Sequence, residues 1–268
     1  MFRKTLLTGL TLALLLTLPV TAQSIQQVDS LIDENTDQLI ELPLEEVLNN
    51  YYRAIGGEDA WLEVSSLKMT GKMQMGPGME APFTVYSLRP DKQRLEFSFQ
   101  GMTGVQAING DEAWMLMPFM GKTEPEAMPD EMAKQMKDQL DIEGALINFS
   151  TKGHTLEMLG IGQAQGTDAY KIKATLASGT VQVYYLDAEE FVPFMMEDTR
   201  TFQGNEIETE TIFSDFKEVD GLMLAHSIEN RQKSQPGGQV ITIETVEVDP
   251  DLSEIQFAMP AATAKAAE

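Results

Sequence analysis

The stretch Leu67-Lys68-Met69-Thr70-Gly71-Lys72-Met73-Gln74-Met75 places Leu67, Met69, Gly71, Met73 and Met75 on one face and Lys68, Thr70, Lys72 and Gln74 on the other. Side chains of a β-strand point alternately to its two faces, so this period of two describes a strand with one buried and one wetted side. The pattern returns in residues 94–100, where Leu95, Phe97 and Phe99 interleave with Arg94, Glu96, Ser98 and Gln100. Between these two lies a strand over 83–88, closed by the turn Arg89-Pro90-Asp91. Strands over 105–108 and 113–117 flank Asn109-Gly110-Asp111, a hairpin signal because Asn-Gly accepts the positive φ angles of a tight turn. Further strands are expected near 154–161, 168–175, 181–186, 193–203, 205–216, 223–232 and 239–248. Ser178-Gly179, Gly204-Asn205, Asp220-Gly221 and Pro236-Gly237-Gly238 punctuate them. In the second half, Ile207, Thr209, Thr211 and Phe213 alternate with Glu206, Glu208 and Glu210, so one face there is solvated.

Outward from this core of strands the period changes to that of a helix. Leu44, Val47, Leu48, Tyr51 and Ile55 share one helical face, Pro43 suits the first turn, and Gly56-Gly57 ends it. Met128, Met132, Met136 and Leu140 recur every four residues among charged ones, a short amphipathic helix over 129–140. Many consecutive strands with few helices predict a long antiparallel meander, and a sheet of that size curls to protect its edges. The fold class expected is therefore mainly β (α+β): a strongly curved antiparallel sheet, or half-open β-barrel, with helices covering the concave face. One such domain is expected over 44–260.

The chain starts as an export signal does. Arg3 and Lys4 precede an apolar run from Leu6 to Val20, and Val20-Thr21-Ala22 offers small side chains to a signal peptidase. The run is shorter than the roughly 20 residues a bilayer span requires. Residues 1–22 are thus expected to be a signal peptide, 23–43 a polar spacer and 261–268 a disordered tail. The acidic run Asp33–Asp37 does not make a calcium loop, because Gln38 and Leu44 stand where Gly and Glu are needed. Cysteine is absent, so neither disulfides nor the cysteine of a lipid anchor are expected. The expected location is the periplasm, with no transmembrane segment after cleavage.

A net charge of −23 repels phosphate backbones and anionic lipid surfaces, which argues against nucleic-acid binding. Catalytic signals are scarce. The two histidines, His154 and His226, lie outside any metal-ligand spacing, and neither a nucleophile elbow nor a phosphate loop occurs. No catalytic residue, metal or cofactor is expected. Methionine is what stands out: of 17, eleven lie between Met69 and Met136. Unbranched and polarizable, methionine repacks around irregular apolar shapes. Two readings fit, an ordinary core or the lining of a site that accepts varied apolar partners. The stripe on the short helix favours a lining with a removable lid.

The order of four motifs resembles the outer-membrane lipoprotein-sorting superfamily, the LolA/LolB-like proteins of the bacterial periplasm. The first is the helix into Tyr52-Arg53-Ala54-Ile55-Gly56-Gly57 followed by Ser65-Ser66-Leu67 and its strand. The second is Arg89-Pro90-Asp91-Lys92-Gln93-Arg94. The third is Asn109-Gly110-Asp111-Glu112-Ala113-Trp114, then Met117-Pro118. The fourth is Tyr184-Tyr185-Leu186-Asp187, then Phe216-Lys217-Glu218-Val219-Asp220-Gly221. The resemblance implies a half-open sheet whose cavity takes up acyl chains of lipoproteins or other lipids, and an Arg-Pro pair, here Arg89-Pro90, whose Arg helps hold a lid closed. The chain departs from the typical carrier in its length, its acidity and its Gly56-Gly57 helix, which marks a divergent branch.

The leading expectation is a soluble, non-catalytic periplasmic carrier for acyl chains, lipids or lipoproteins. The candidate lining is Met69, Met73, Phe97, Phe99, Trp114, Leu116, Met132 and Met136, with Arg89 gating the lid. A register shift of one residue would exchange any strand's set for its opposite face. The alternative is an envelope sensor or protein-interaction module on the same scaffold. An enzyme would need His154 or His226 within hydrogen-bond reach of a nucleophile or carboxylate.

Overall fold

The computed structural model describes residues 41–76, 78–202, 205–233 and 237–261. The expected signal peptide, almost all of the expected spacer and nearly all of the expected tail lie outside them. Two helices come first, α1 (Leu44–Ala54) and α2 (Glu58–Glu63). Six strands follow: β1 (Ser66–Gly76), β2 (Met79–Leu88), β3 (Lys92–Phe99), β4 (Met102–Asn109), β5 (Glu112–Met117) and β6 (Lys122–Ala127). Helix α3 (Asp130–Lys137) and an irregular stretch lead to β7 (Thr155–Ala164), β8 (Thr167–Thr175), β9 (Val181–Asp187) and β10 (Pro193–Phe202). The last strands are β11 (Asn205–Val219), β12 (Leu222–Gln232) and β13 (Gly238–Val248).

All thirteen strands form one open antiparallel sheet in the order β6-β5-β4-β3-β2-β1-β13-β12-β11-β10-β9-β8-β7. Each half is a meander, and the pairing of β1 with β13 joins the two halves. This is the expected fold class. Short β6 and helix α2 have no counterpart in the sequence reading. Lys-Thr-Glu-Pro-Glu-Ala in β6 shows no apolar alternation, and its Pro125 and charges suit an edge strand that must not recruit partners. Six residues of α2 are too few to establish a helical period.

One face of the sheet carries the helices. Val47, Leu48 and Tyr51 of α1 pack with Tyr170, Ile172, Ala174 and Leu186 of β8 and β9, together with Leu146 and Ile147 from the stretch after α3. Tyr52 Oη donates to the Leu146 carbonyl at 3.1 Å, and Trp61 Nε1 to that of Ile55 at 2.9 Å. The α1–α2 corner rests on the β11–β12 hairpin, where Met223 N–H donates to the Ile55 carbonyl at 3.0 Å. Gly56 makes that approach feasible: its φ is +104°, and a Cβ there would stand 2.1 Å from the Gly221 oxygen.

The opposite, convex face is covered over β3–β5 by the segment following β13. Trp114, 1% exposed, packs with Val105 and Ala107. Its Nε1 donates to the Phe257 carbonyl at 2.8 Å, and Arg94 Nη1 to that of Gln256 at 2.8 Å. The strap begins where the Asp249 carboxylate accepts from the Ser65 and Ser66 N–H groups.

The central β1–β13 pair contains a register shift between Thr70 and Gly71. A Cβ on Gly71 would lie 2.0 Å from the Thr242 carbonyl oxygen and 3.0 Å from the Phe83 ring. The bulge therefore depends on glycine at this position. Gly71→Ala is expected to destabilise the protein by about 2–3 kcal/mol. Gly162→Ala, which meets only the movable Lys171 side chain, is expected to cost less than about 1 kcal/mol. Urea unfolding of both variants checks the contrast.

Candidate functional site

Register alone shows which side chains share the concave face. Met73 pairs with Ile241 and Ala81, Phe97 with Phe83 and Gly104, and Gln106 with Met115. Across β13 the same face continues through Ile228 and Asn230 to Thr211, Met196, Tyr184 and Gln182.

Phe83, Phe97, Met115, Met117, Met128 and Ile243 form a buried cluster on this face, with Met69, Met73, Phe119, Met132 and Met136 packed against it. Phe119 lies between Phe97 and Phe99, with ring centroids 5.6 and 5.9 Å away, the latter edge-on. Gly104 leaves room for these rings, since a Cβ would fall within 3.0 Å of both Phe97 and Phe119. Six expected lining residues thus lie on the concave side. Met69, Met73, Met132 and Met136 join this cluster, Phe97 is at its centre, and Phe99 meets it through Phe119. Trp114 and Leu116 do not. They point to the convex face, and Met115 and Met117 hold the inward positions of β5. The hairpin register at Asn109-Gly110 decides this: Ala107 faces Trp114 and Gln106 faces Met115. Trp114 is the anchor of the convex strap.

Helix α3 roofs the methionine cluster. None of its residues is fully buried, while Met128 just ahead of it is. Its ties to the body include Lys137 to Asp111 at 3.2 Å and Thr180 Oγ1 donating to Asp138 at 2.6 Å. An exposed ion pair of this kind contributes little. Between α3 and the sheet runs a groove of about 840 Å³, within the roughly 300–1,000 Å³ of typical ligand sites. Met73, Leu95, Phe97 and Ile241 line one part of it, and Gln182, Thr209, Thr211 and Asn230 another. The polar part was not foreseen as a site. Its one signal was the Thr209-Thr211 alternation, which identifies a face but not what lies opposite it.

Arg89 sits beside the roof's root rather than under α3. Its Nε donates to the Val64 carbonyl at 2.6 Å, and its Nη2 to the Trp61 carbonyl at 3.0 Å and to Glu143 Oε2 at 2.6 Å. The Glu143 carboxylate is 2% exposed and is also held by Lys152 at 2.7 Å. Lys152 in turn donates to the Gly144 carbonyl at 2.8 Å. These bonds tie the α3–β7 connection to α2 and the start of β1. The histidines serve locally: His154 Nδ1 accepts from Ala177 N–H at 3.1 Å, and buried His226 Nδ1 lies 3.1 Å from the Leu224 carbonyl. His154 Nε2 lies 3.9 Å from Asp141, outside hydrogen-bond reach. Burial pushes the His154 pKa down, with Asp141 opposing.

Burial by itself would raise the Glu143 carboxyl, but the Arg89 and Lys152 hydrogen bonds outweigh it and hold it below its ordinary 4.5. A carboxyl lowered by folding stabilises the folded state above its unfolded pKa, and that contribution is lost as pH falls through the folded value. Wild-type stability is therefore expected to drop as pH is lowered below about 4.5, and Glu143→Gln to flatten that part of the curve. Arg89→Met is expected to cost about 2–3 kcal/mol at neutral pH, because it removes one partner of a nearly buried charge. Denaturant titrations across the acid range measure both.

No protein-family model matches the sequence, and no curated protein does either. Solved structures do resemble it. A DUF1329 family protein from Desulfovibrio piger aligns with a TM-score of 0.56 at 15% identity, over 81% of this chain and 97% of that one. A putative outer membrane lipoprotein-sorting protein domain from Vibrio parahaemolyticus aligns at 0.53 and 15%, over 78% and 93%. A LolA superfamily protein from Nitrosomonas europaea aligns at 0.53 and 13%, over 81% and 98%. At such identities the likeness is one of fold, and it agrees with the open antiparallel sheet and the helices on its concave side. The chain has the same fold as these LolA-superfamily and lipoprotein-sorting-domain structures, at low sequence identity.

Proposed function

We propose that this protein is a soluble, non-catalytic periplasmic carrier that binds an acyl chain, of a lipid or a lipoprotein, between α3 and the concave face. The observation that carries the reading is the methionine–phenylalanine cluster beneath a roof with no fully buried residue. Apolar contacts of Met132, Ala133 and Met136 seat α3 on the cluster. A chain entering beneath it exchanges methionine contacts for its own, at roughly 0.8 kcal/mol per buried CH₂. Methionine suits this because its thioether stem changes rotamer at little cost. The fold likeness to a lipoprotein-sorting domain and the signal-like first 22 residues support the location and the cargo class. Among the described residues no helix is long and apolar enough to cross a membrane. Arg89 and Glu143 would then act as the hinge-side clasp of the roof, holding the α3–β7 connection while α3 lifts.

The test is uptake of a fluorescent fatty-chain probe by the purified protein, with organic extraction and mass spectrometry of whatever co-purifies. Met132→Asp/Met136→Asp is expected to weaken probe binding at least about tenfold, since a carboxylate must then be desolvated at the site of the chain. Circular dichroism should remain unchanged. A folded protein that takes up no probe, or a double variant that binds as well as wild type, sinks the reading.

A further inference from the structure

The groove is divided by chemistry along the sheet. Met73, Leu95, Phe97 and Ile241 line its part on β1, β3 and β13, where Gln106 of β4 and Gln239 also reach it, and Gln182, Thr209, Thr211 and Asn230 line its part on β9, β11 and β12, around Met196 of β10. The polar part is built into the protein rather than wetted at a rim. Gln182 is 8% exposed and Thr211 is 7% exposed, and both line the groove. Tyr184 Oη donates to Gln182 Oε1 at 2.8 Å. Burial raises the Tyr184 pKa, so the phenol stays a neutral donor. With its carbonyl so engaged, Gln182 presents its amide N–H groups. Thr211 Oγ1 donates to Asn230 Oδ1 at 2.9 Å, which leaves the Asn230 amide in the same position. Beside them Thr209 also lines the groove, and its Oγ1, itself buried, has no hydrogen-bond partner. Buried polar groups are nearly always satisfied, so an orphan hydroxyl just behind the wall of a cavity points to a partner that reaches it as a ligand seats.

Charge narrows the partner further. Among the described lining residues, Glu131, Asp138, Asp198 and Glu206 face a single Lys134. Glu131 and Asp198 have partners of their own, and their charge still adds to the field in the groove. An anionic head seated on the shelf would be desolvated with its charge uncompensated. A purely apolar chain would leave the hydroxyl and both amides unmet.

We infer that the groove selects an amphiphile with an uncharged, hydrogen-bonding head, bearing hydroxyl or amide groups, over one with an anionic head. This rests on the carrier reading above. The tail occupies the part lined by Met73, Leu95, Phe97 and Ile241, and the head meets Thr209, Gln182 and Asn230.

The experiment compares 1-myristoylglycerol, myristate above its carboxyl pKa and myristyl phosphate, each below its micelle concentration, by calorimetry on the full protein. The glycerol ester is expected to bind at least about tenfold more tightly than either anion. Thr209→Val is expected to narrow that preference by about three- to tenfold while leaving the thermal midpoint unchanged or higher, because it removes an unsatisfied buried hydroxyl. Binding of all three with equal affinity, tighter binding of an anion, or an unaltered preference in Thr209→Val overturns the inference while the carrier reading stands. Binding of none overturns both.

Discussion

The pairing of β1 with β13 is the constraint on which the remaining architecture depends. It brings together strands nearly the whole described chain apart and puts them at the middle of the sheet. Once the ends of the domain meet there, the two meanders must run outward in opposite directions. Strands β6 and β7, which follow one another in the chain, then become the two free edges. The connection between them has to cross the open side of a curved sheet. Helix α3 rides on that crossing, so a roof over the concave face is a consequence of topology. The Gly71 bulge gives the central pair its close approach, because a side chain there would collide with the backbone of β13.

The same topology divides the concave face into zones that are packed differently. Under α1, α2 and residues 142–149 the packing is tight, and Ile147 and Ile172 are wholly buried. Branched and aromatic side chains there fix one arrangement. Under α3 methionine and phenylalanine predominate, with Ile241, Ile243 and Leu95 among them, and the helix contributes no fully buried residue. Between the zones lies the shelf of threonines and amides. The concave face is thus divided into a core that holds the fold and a looser face under α3, the one the proposed carrier would use for its ligand. The balance of residue types differs between them: methionine, with the rotamer freedom that isoleucine lacks, is concentrated under α3.

Two attachments on opposite faces keep the curvature in place. On the concave side, Arg89 reaches three acceptors on two segments, and Glu143 is shared with Lys152. On the convex side, the segment after β13 crosses back to β5, where its carbonyls accept from Trp114 and Arg94. Arg94 also stacks over the Trp114 ring at 5.5 Å, a favourable arrangement for a guanidinium. Charged groups in both attachments bind backbone carbonyls as well as carboxylates, which makes them specific in position.

What the sequence by itself determined was most of the elements, short β6 and α2 excepted. Alternation in 67–75, 94–100 and 206–213, the Asn109-Gly110 turn and the helical spacing of Leu44–Ile55 each followed from local geometry, and the strands lie within a few residues of where that geometry puts them. It also singled out the methionines, while Arg89 was indicated only by the family resemblance. It did not determine which face of a short strand looks inward: in Ala113-Trp114-Met115-Leu116-Met117 both faces are apolar, so only the register against β4 turned Met115 in and Trp114 out. Nor could it show that Glu143, one carboxylate among 42 acidic residues, is buried against Arg89, or that Thr209, Gln182 and Asn230 share a shelf. Those partners are separated by tens of residues, and their proximity is set by the strand order, which no local pattern of side chains encodes.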